Sequence, residues 1–395
     1  MKLENNKKRI LLIISFIALI LRILWFFAES GDYIYFLKPW IESIRELGGF
    51  KALAYNIGDY NVPYVFILTI ISYFKCEPLI PIKIVTVLFD FVLAIYGYKI
   101  IKKITNNTLY SIIGYSTLLF LPTVLINGAM WGQCDSIYSA FIFISLYYLL
   151  DKKYTKSFIF FGISFAFKLQ SVFILPLYVL LYFREKDIKL YHFILIPIIN
   201  IMMCLPAIIM GRSIQDVLMI YVNQTGTYTN LVMNFANIYS LIDGTEIGFF
   251  YNELISKIGI VITMLIYFLV WLYVLVKKVR FNNEKVITIG LWSIIIATFF
   301  LPRMHERYMF LADVLSVLWF IIYQKKGYMV FVVNIVSILS YFRFLFDFKF
   351  INLGYVSIIY FIFIIVYTVY VMKLLGEEDG NRKNKMERRK LQRVS

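Results

Sequence analysis

The octapeptide Leu301-Pro302-Arg303-Met304-His305-Glu306-Arg307-Tyr308 places three groups that can carry positive charge within five residues, with one acid among them, between apolar runs at 286–300 and 309–323. Hydrocarbon does not tolerate that density of charge without a polar partner or cavity to face. Pro302 cannot continue a helical hydrogen-bond ladder, and it falls where the first run is long enough to cross a bilayer, so the cluster should sit at a membrane–water boundary. There Arg303, His305 and Arg307 can face one anion while Glu306 orients one of them by pairing. The competing reading is a set of snorkelling anchors. One of only two histidines in the chain falls within this five-residue window, and that favours a site. Arginine forks at this depth suit a lipid-linked phosphate, whose head can reach the cluster while its chain stays in the bilayer. Lys168, in Phe167-Lys168-Leu169-Gln170, can join them or snorkel.

Other residues can supply the rest of a transfer reaction. Asp32, directly after flexible Gly31, can act as a general base or simply mark a helix exit turn. Trp131 and the many tyrosines, Tyr33 among them, offer flat faces of the kind that stack on sugar rings. Gln133 and Asp135, before Ser136, read either as a helix N-cap or as substrate contacts. Gln170, Asn234 and Asn237 are good hydrogen-bonders for sugar hydroxyls and equally good loop residues. Cys76, Cys134 and Cys204 have neither disulfide-framework nor metal-ligand spacing, and no cofactor or metal is called for. Phosphate is already a good leaving group, so cationic stabilisation can replace a general acid. Together these residues describe transfer of a sugar from a polyprenyl phosphate to a hydroxyl.

The elements that would position these groups are membrane helices. The chain has 395 residues, 61% hydrophobic and only 16% charged, with a mean hydropathy of +0.76, which excludes a soluble domain. The first span is expected over 10–28, interrupted by Arg22, with no small-residue cleavage site after it. Residues 33–47 carry a helical apolar period that suits a helix lying on the outer surface. The run 62–74 is too short to cross and is read as re-entrant or interfacial. Counting basic loops from the N-terminus inward assigns 27 of the 40 lysines and arginines to one face, including Lys325-Lys326 and the tail. The net charge of +16 is therefore a positive-inside bias with anionic-lipid contact, and nucleic acid is not needed to explain it.

This count predicts an all-α polytopic protein with about twelve crossings, by the span-length rule, two of them short and forming a hairpin at 157–183. A transmembrane domain is expected over 1–375, with a first outer loop at 29–81 and a long one at 211–252. A basic, disordered cytoplasmic tail should follow at 376–395. All the candidate residues above then share the outer face of the cell membrane, and both termini are cytoplasmic.

Four motifs in this order, Gly31-Asp32-Tyr33 with Lys38-Pro39-Trp40 and Glu42, Trp131-Gly132-Gln133-Cys134-Asp135-Ser136, Phe167-Lys168-Leu169-Gln170 and Met304-His305-Glu306-Arg307, resemble the GT-C superfamily of integral membrane glycosyltransferases. The likeness is to bacterial mannosyltransferases related to the GPI-anchor enzymes, and to dolichyl-phosphate-glucose glucosyltransferases, over residues 12–320. The resemblance implies a GT-C fold, a polyprenyl-phosphate sugar donor, a glycan or glycolipid acceptor, inversion at the anomeric carbon and an acid in the first outer loop as base, which matches Asp32. It also implies phosphate contact for His305 and Arg307, with arginine where the family's His-Glu-Lys-like element has lysine. The first loop lacks the second acid beside Asp32 that several branches carry, which favours a metal-free reaction. The competing functions are a lipid-linked polysaccharide polymerase and a flippase, the latter with charges recurring along a mid-membrane path.

Overall fold

The computed structural model describes residues 2–227, 229–324, 327–348 and 350–377. Lys325-Lys326 and all but the first two residues of the expected tail lie outside the described residues. The chain is almost wholly helical: α1 (Lys2–Ile23), α2 (Lys38–Glu46), α3 (Val62–Ser72), α4 (Leu79–Thr105), α5 (Thr108–Phe120), α6 (Pro122–Leu125), α7 (Asp135–Leu150), α8 (Tyr154–Phe167) and α9 (Leu175–Tyr182) build the first half. The second half comprises α10 (Leu190–Ile209), α11 (Ile214–Thr227), α12 (Glu246–Phe250), α13 (Asn252–Val276), α14 (Asn283–Phe300), α15 (Phe310–Tyr323), α16 (Tyr328–Leu345) and α17 (Leu353–Gly376). Two-residue strands, β1 (Val232–Met233) and β2 (Met304–His305), pair in parallel.

Among the described residues six helices, α4, α10, α13, α14, α16 and α17, are long and apolar enough to cross a bilayer. A seventh span is possible if α5 and the bent segment Pro122–Trp131, 47° apart, count as one. The chain is thus an all-helical membrane protein. Its helices begin where side chains satisfy the first amide groups: Asn107 Oδ1 accepts from Leu109 and Tyr110, Asn282 from Lys285, and Asn352 from Gly354. Asn106 and Gln324, in the left-handed conformation at φ 51° and 48°, end α4 and α15.

Exposure sorts the helices by their surroundings. Only 28% of the apolar window of α10 and of α13 is buried inside the protein, so most of their side chains are left for lipid. By contrast 89% of α14 is buried. The helices α7 and α15, with 16 and 14 residues, bury twelve and eleven of them. A 14-residue helix is about 21 Å long against a hydrocarbon thickness of about 30 Å, so these are core elements enclosed by longer helices. One layer is α4, α5, α7, α8 and α10, the other α14 to α17, and α15 joins them by packing on α4, α5 and α7. The buried indoles of Trp292 and Trp319 donate to Thr368 and Thr288 at 3.0 and 2.9 Å, so no polar N–H is stranded there.

The first loop follows its sequence pattern. α2 buries Ile41 and Ile44 while Glu42 and Arg45 stay outside. Residues 62–72 form an 11-residue helix, about 16 Å long. It buries eight residues against α2, α8 and α10.

Candidate active site

Asp32 follows the end of α1 through a turn that Ser30 fixes: its Oγ accepts from the Tyr33 amide at 3.2 Å and donates to the Trp131 carbonyl at 2.9 Å. That bond ties the first loop to the segment 126–134. There a π-turn over Ile126–Trp131 ends at Gly132, whose φ of +78° is open to glycine and strained for any other residue. The reversal lets the Gln133 amide bond back to the Asn127 carbonyl at 2.9 Å, and it turns Trp131 and Gln133 toward Asp32.

Three donors end on Asp32 Oδ2: Gln133 Nε2 at 2.6 Å, Trp131 Nε1 at 3.1 Å and Arg307 Nη1 at 3.3 Å. Among the described residues all three fall on that one oxygen, which leaves Oδ1 to accept a proton. The Gln133 amide is itself oriented, because its Oε1 takes the Tyr60 hydroxyl at 3.2 Å. Burial, and then Cys134 beside it, push the Tyr60 phenol well up, so it stays a donor.

The cationic cluster is positioned by a break and a clasp. α14 ends at Phe300, Pro302 follows, and Arg303 takes a left-handed φ of 61°. The Arg303 amide then bonds to the Leu231 carbonyl at 2.7 Å, and β2 pairs with β1 in the register Val232 to Met304 and Met233 to His305. The long loop is thereby held against the cluster. Arg307 is the hub: besides Asp32 it meets Glu306 Oε1 at 2.9 Å and Asp135 Oδ2 at 3.9 Å, and its guanidinium lies 5.5 Å from the Trp131 ring. Burial alone would lower its pKa, but the carboxylates of Glu306, Asp32 and Asp135 hold it well above the ordinary arginine value. Burial likewise works against the charged form of Glu306, yet His305, its Nδ1 3.8 Å from the carboxylate, and the charge of Arg307 outweigh it and keep this carboxyl below the usual glutamate range.

These residues line a cavity of about 780 Å³. Of the residues singled out in the sequence, Asp32, Gln133, Lys168, Gln170, Asn234, Arg303, His305 and Arg307 border it. Residues from segments 275 positions apart thus share one chamber. Its lining is apolar at Phe167, Leu169, Val172, Phe173, Ile260 and Leu301, and it includes the exposed Glu253 and Lys257 of α13.

Four others lie behind the lining. Trp131 is fully buried, edge-on to Tyr341 and stacked on Phe344 at 5.3 Å, so its ring is closed to a sugar and serves the site through its N–H and its face toward Arg307. Tyr33 is buried with its hydroxyl on Glu77. Asn237 is buried, accepting from Tyr239 at 3.0 Å to cap a short 3₁₀ turn. Asp135 is neither a cap nor a surface contact: Cys134 is the N-cap residue of α7, and the Asp135 carboxylate accepts from Lys168 and from Asn127 at 2.8 Å. Lys168 borders the cavity but is committed to that pair, because the extended backbone between α8 and the following 3₁₀ turn points its side chain inward.

Sequence reading quoted Trp40 in the first-loop motif but gave neither it nor Asp59 a part in binding, and it passed over Tyr60 and, on α11, Tyr221 and Gln224, all of which line the cavity. It also passed over a pair within the spans. Arg22 Nε meets Asp90 Oδ2 at 2.9 Å with both side chains fully buried, and Ser136 donates to the other Asp90 oxygen. The signal was present, since each is a lone charge in an apolar run. Among the described residues no three His, Cys, Asp or Glu side chains gather at metal-binding range. Comparison with protein-family models and with curated proteins gave no match.

Proposed function

We propose that this chain is an inverting glycosyltransferase with GT-C architecture, moving a hexose, mannose or glucose, from a polyprenyl-phosphate donor to a saccharide or lipid-linked acceptor on the outer face of the membrane. The observation that carries the reading is the single cavity in which Asp32, with one oxygen unengaged, adjoins Arg303, His305 and Arg307. In the reaction the acceptor oxygen attacks the anomeric carbon and its proton passes to Asp32 Oδ1. The bond from that carbon to the phosphate oxygen breaks, and its electron pair leaves with the phosphate. Arg303 and His305 receive the added charge, while Arg307 holds Asp32 in place. The apolar lining at Val172, Phe173, Ile260 and Leu301 gives the first isoprene units a surface beside the lipid-facing helix α13.

Twelve crossings belong to this reading. They require α1, α7, α8, the segment Leu169–Tyr182 and α15 to cross as enclosed, shortened spans, with α3 re-entrant. A flippase is disfavoured because the mid-span charges Arg22 and Asp90 close on each other at 0% exposure and do not line the cavity that holds Asp32.

The test is transfer by the purified chain in lipid from radiolabelled polyprenyl-phosphate mannose and glucose. Asp32→Asn should keep donor binding while turnover falls by about 10² to 10⁴. A normal rate in Asp32→Asn removes the base, and no transfer by the unaltered chain from either donor removes the function.

A further inference from the structure

The aromatic face for a sugar ring, assigned from sequence to Trp131, is closed by packing, yet a second indole lines the cavity. Trp40, on α2, is partly exposed there. The backbone of Gly58, at φ +66°, seals the ring from one side: a Cβ at that position would lie 2.5 Å from the indole. Phe36 and Tyr60 flank it with centroids at 6.0 and 5.8 Å, and Tyr60 is in turn braced on Tyr64 at 4.7 Å. The indole is thus a rigid, one-sided platform. Polar groups stand beside it. The exposed carboxylate of Asp59 borders the same cavity, and Gln224 gives its amide N–H to the Asp59 carbonyl, which leaves Oε1 as an acceptor. An apolar ring face beside hydroxyl acceptors matches a pyranose, whose C–H face is apolar and whose edge is a row of O–H donors.

The platform also has a fixed relation to Asp32. Tyr60 reaches Asp32 through Gln133 in two hydrogen bonds, whereas Arg307 meets the carboxylate directly and belongs to the cationic segment. Asp32 therefore has two flanks, an aromatic one and a cationic one.

We propose that Trp40, Asp59 and Gln224 form the subsite for the acceptor saccharide, binding the pyranose whose hydroxyl Asp32 deprotonates. This rests on the glycosyl-transfer reading for its chemistry but not for its test, because binding can be read without turnover. In the full chain in lipid, methyl pyranosides of glucose, mannose, galactose and N-acetylglucosamine should quench tryptophan fluorescence, and Trp40→Phe should remove the quench while keeping the ring packing. In the transfer assay Trp40→Ala should raise the acceptor KM about tenfold, with donor KM unchanged, and Trp40→Phe and Asp59→Asn should fall between. No quench by any of the four glycosides, or the same quench in Trp40→Phe, overturns the subsite. A rise in donor KM equal to that for acceptor assigns the platform to the donor sugar and also overturns it. A Trp40-dependent quench in a chain that transfers nothing leaves the subsite standing and defeats the proposed reaction instead.

Discussion

At the scale of single residues, the four charges of 303–307 do two different jobs. Glu306 is buried, with Arg307 as its close partner, and Arg307 also braces Asp32 and lies near Asp135. Arg307→Ala should therefore lower the melting temperature as well as activity, since stranding a buried carboxylate costs roughly 3–5 kcal/mol. Arg303→Ala should lower donor kcat/KM by about ten- to a hundredfold, the loss of one charge-assisted contact to phosphate. An unchanged donor kcat/KM in Arg303→Ala would take this arginine out of the phosphate contact. Glu306 supplies a pH test. Its folded pKa lies below the ordinary 4.5, so its stabilisation is fully present above about 4.5 and disappears as pH falls through the lower folded value. The melting-temperature advantage of the unaltered chain over Glu306→Gln should hold from pH 7 to 5 and shrink only in more acidic buffer. An advantage already lost at pH 6 would mean that Arg307 and His305 do not protect this carboxylate. The sequence made the cluster legible because charge in an apolar context is conspicuous. It could not tell which arginine faces inward, because that depends on carboxylates 170 or more positions away.

At the scale of elements, the Arg22–Asp90 pair is a rivet. It joins α1 to α4, and its remaining bonds reach the Ala18 and Leu119 carbonyls and the Ser136 hydroxyl on the first turn of α7. That turn follows directly on the segment holding Trp131 and Gln133, so the rivet sits one layer beneath the donors of Asp32. Asp90→Ala should cost roughly 3–5 kcal/mol, whereas the double replacement Arg22→Leu with Asp90→Leu should recover most of it, because a well-packed apolar pair avoids the desolvation of two charges. A double-mutant cycle on melting temperature checks this, and additive losses would show that the two charges do not act on each other. Helix positions were largely readable from apolar runs, as at 286–300 for α14 and 309–323 for α15. The lone charges within them read as interruptions, since a sequence does not show that residues 22 and 90 meet. The capping alternative for Asp135 fell for a related reason: Lys168 and Asn127 reach its carboxylate from the protein interior.

For the whole molecule, sidedness is the open physical question that the shared cavity makes testable. Gly58 and Asp243–Gly244 lie in the segments expected outside, and Asn106 in the first basic loop. With exposed Cys76 replaced by serine, single cysteines at the exposed neighbours Tyr55 and Glu246 should react with a membrane-impermeant maleimide on intact cells, and one at Asn106 only after permeabilisation. Labelling at Asn106 from outside would invert the topology and place the cavity in the cytoplasm. The convergence of loops was foreseeable from counting basic faces. The identity of the cavity's aromatic side was not, since burial alone separates Trp40 from Trp131. The two-residue pairing of β1 with β2 has one more consequence. Alternation along a strand turns Met304 and His305 opposite ways, so that Met304 is buried and His305 only partly so, both bordering the cavity, and a slip of one residue would exchange their directions. The length of the chain between Leu231 and Asn234 is therefore as much a part of the site as any side chain: residues can be added near Gly244 without consequence for the register, but one added or removed at 232–233 re-aims the imidazole.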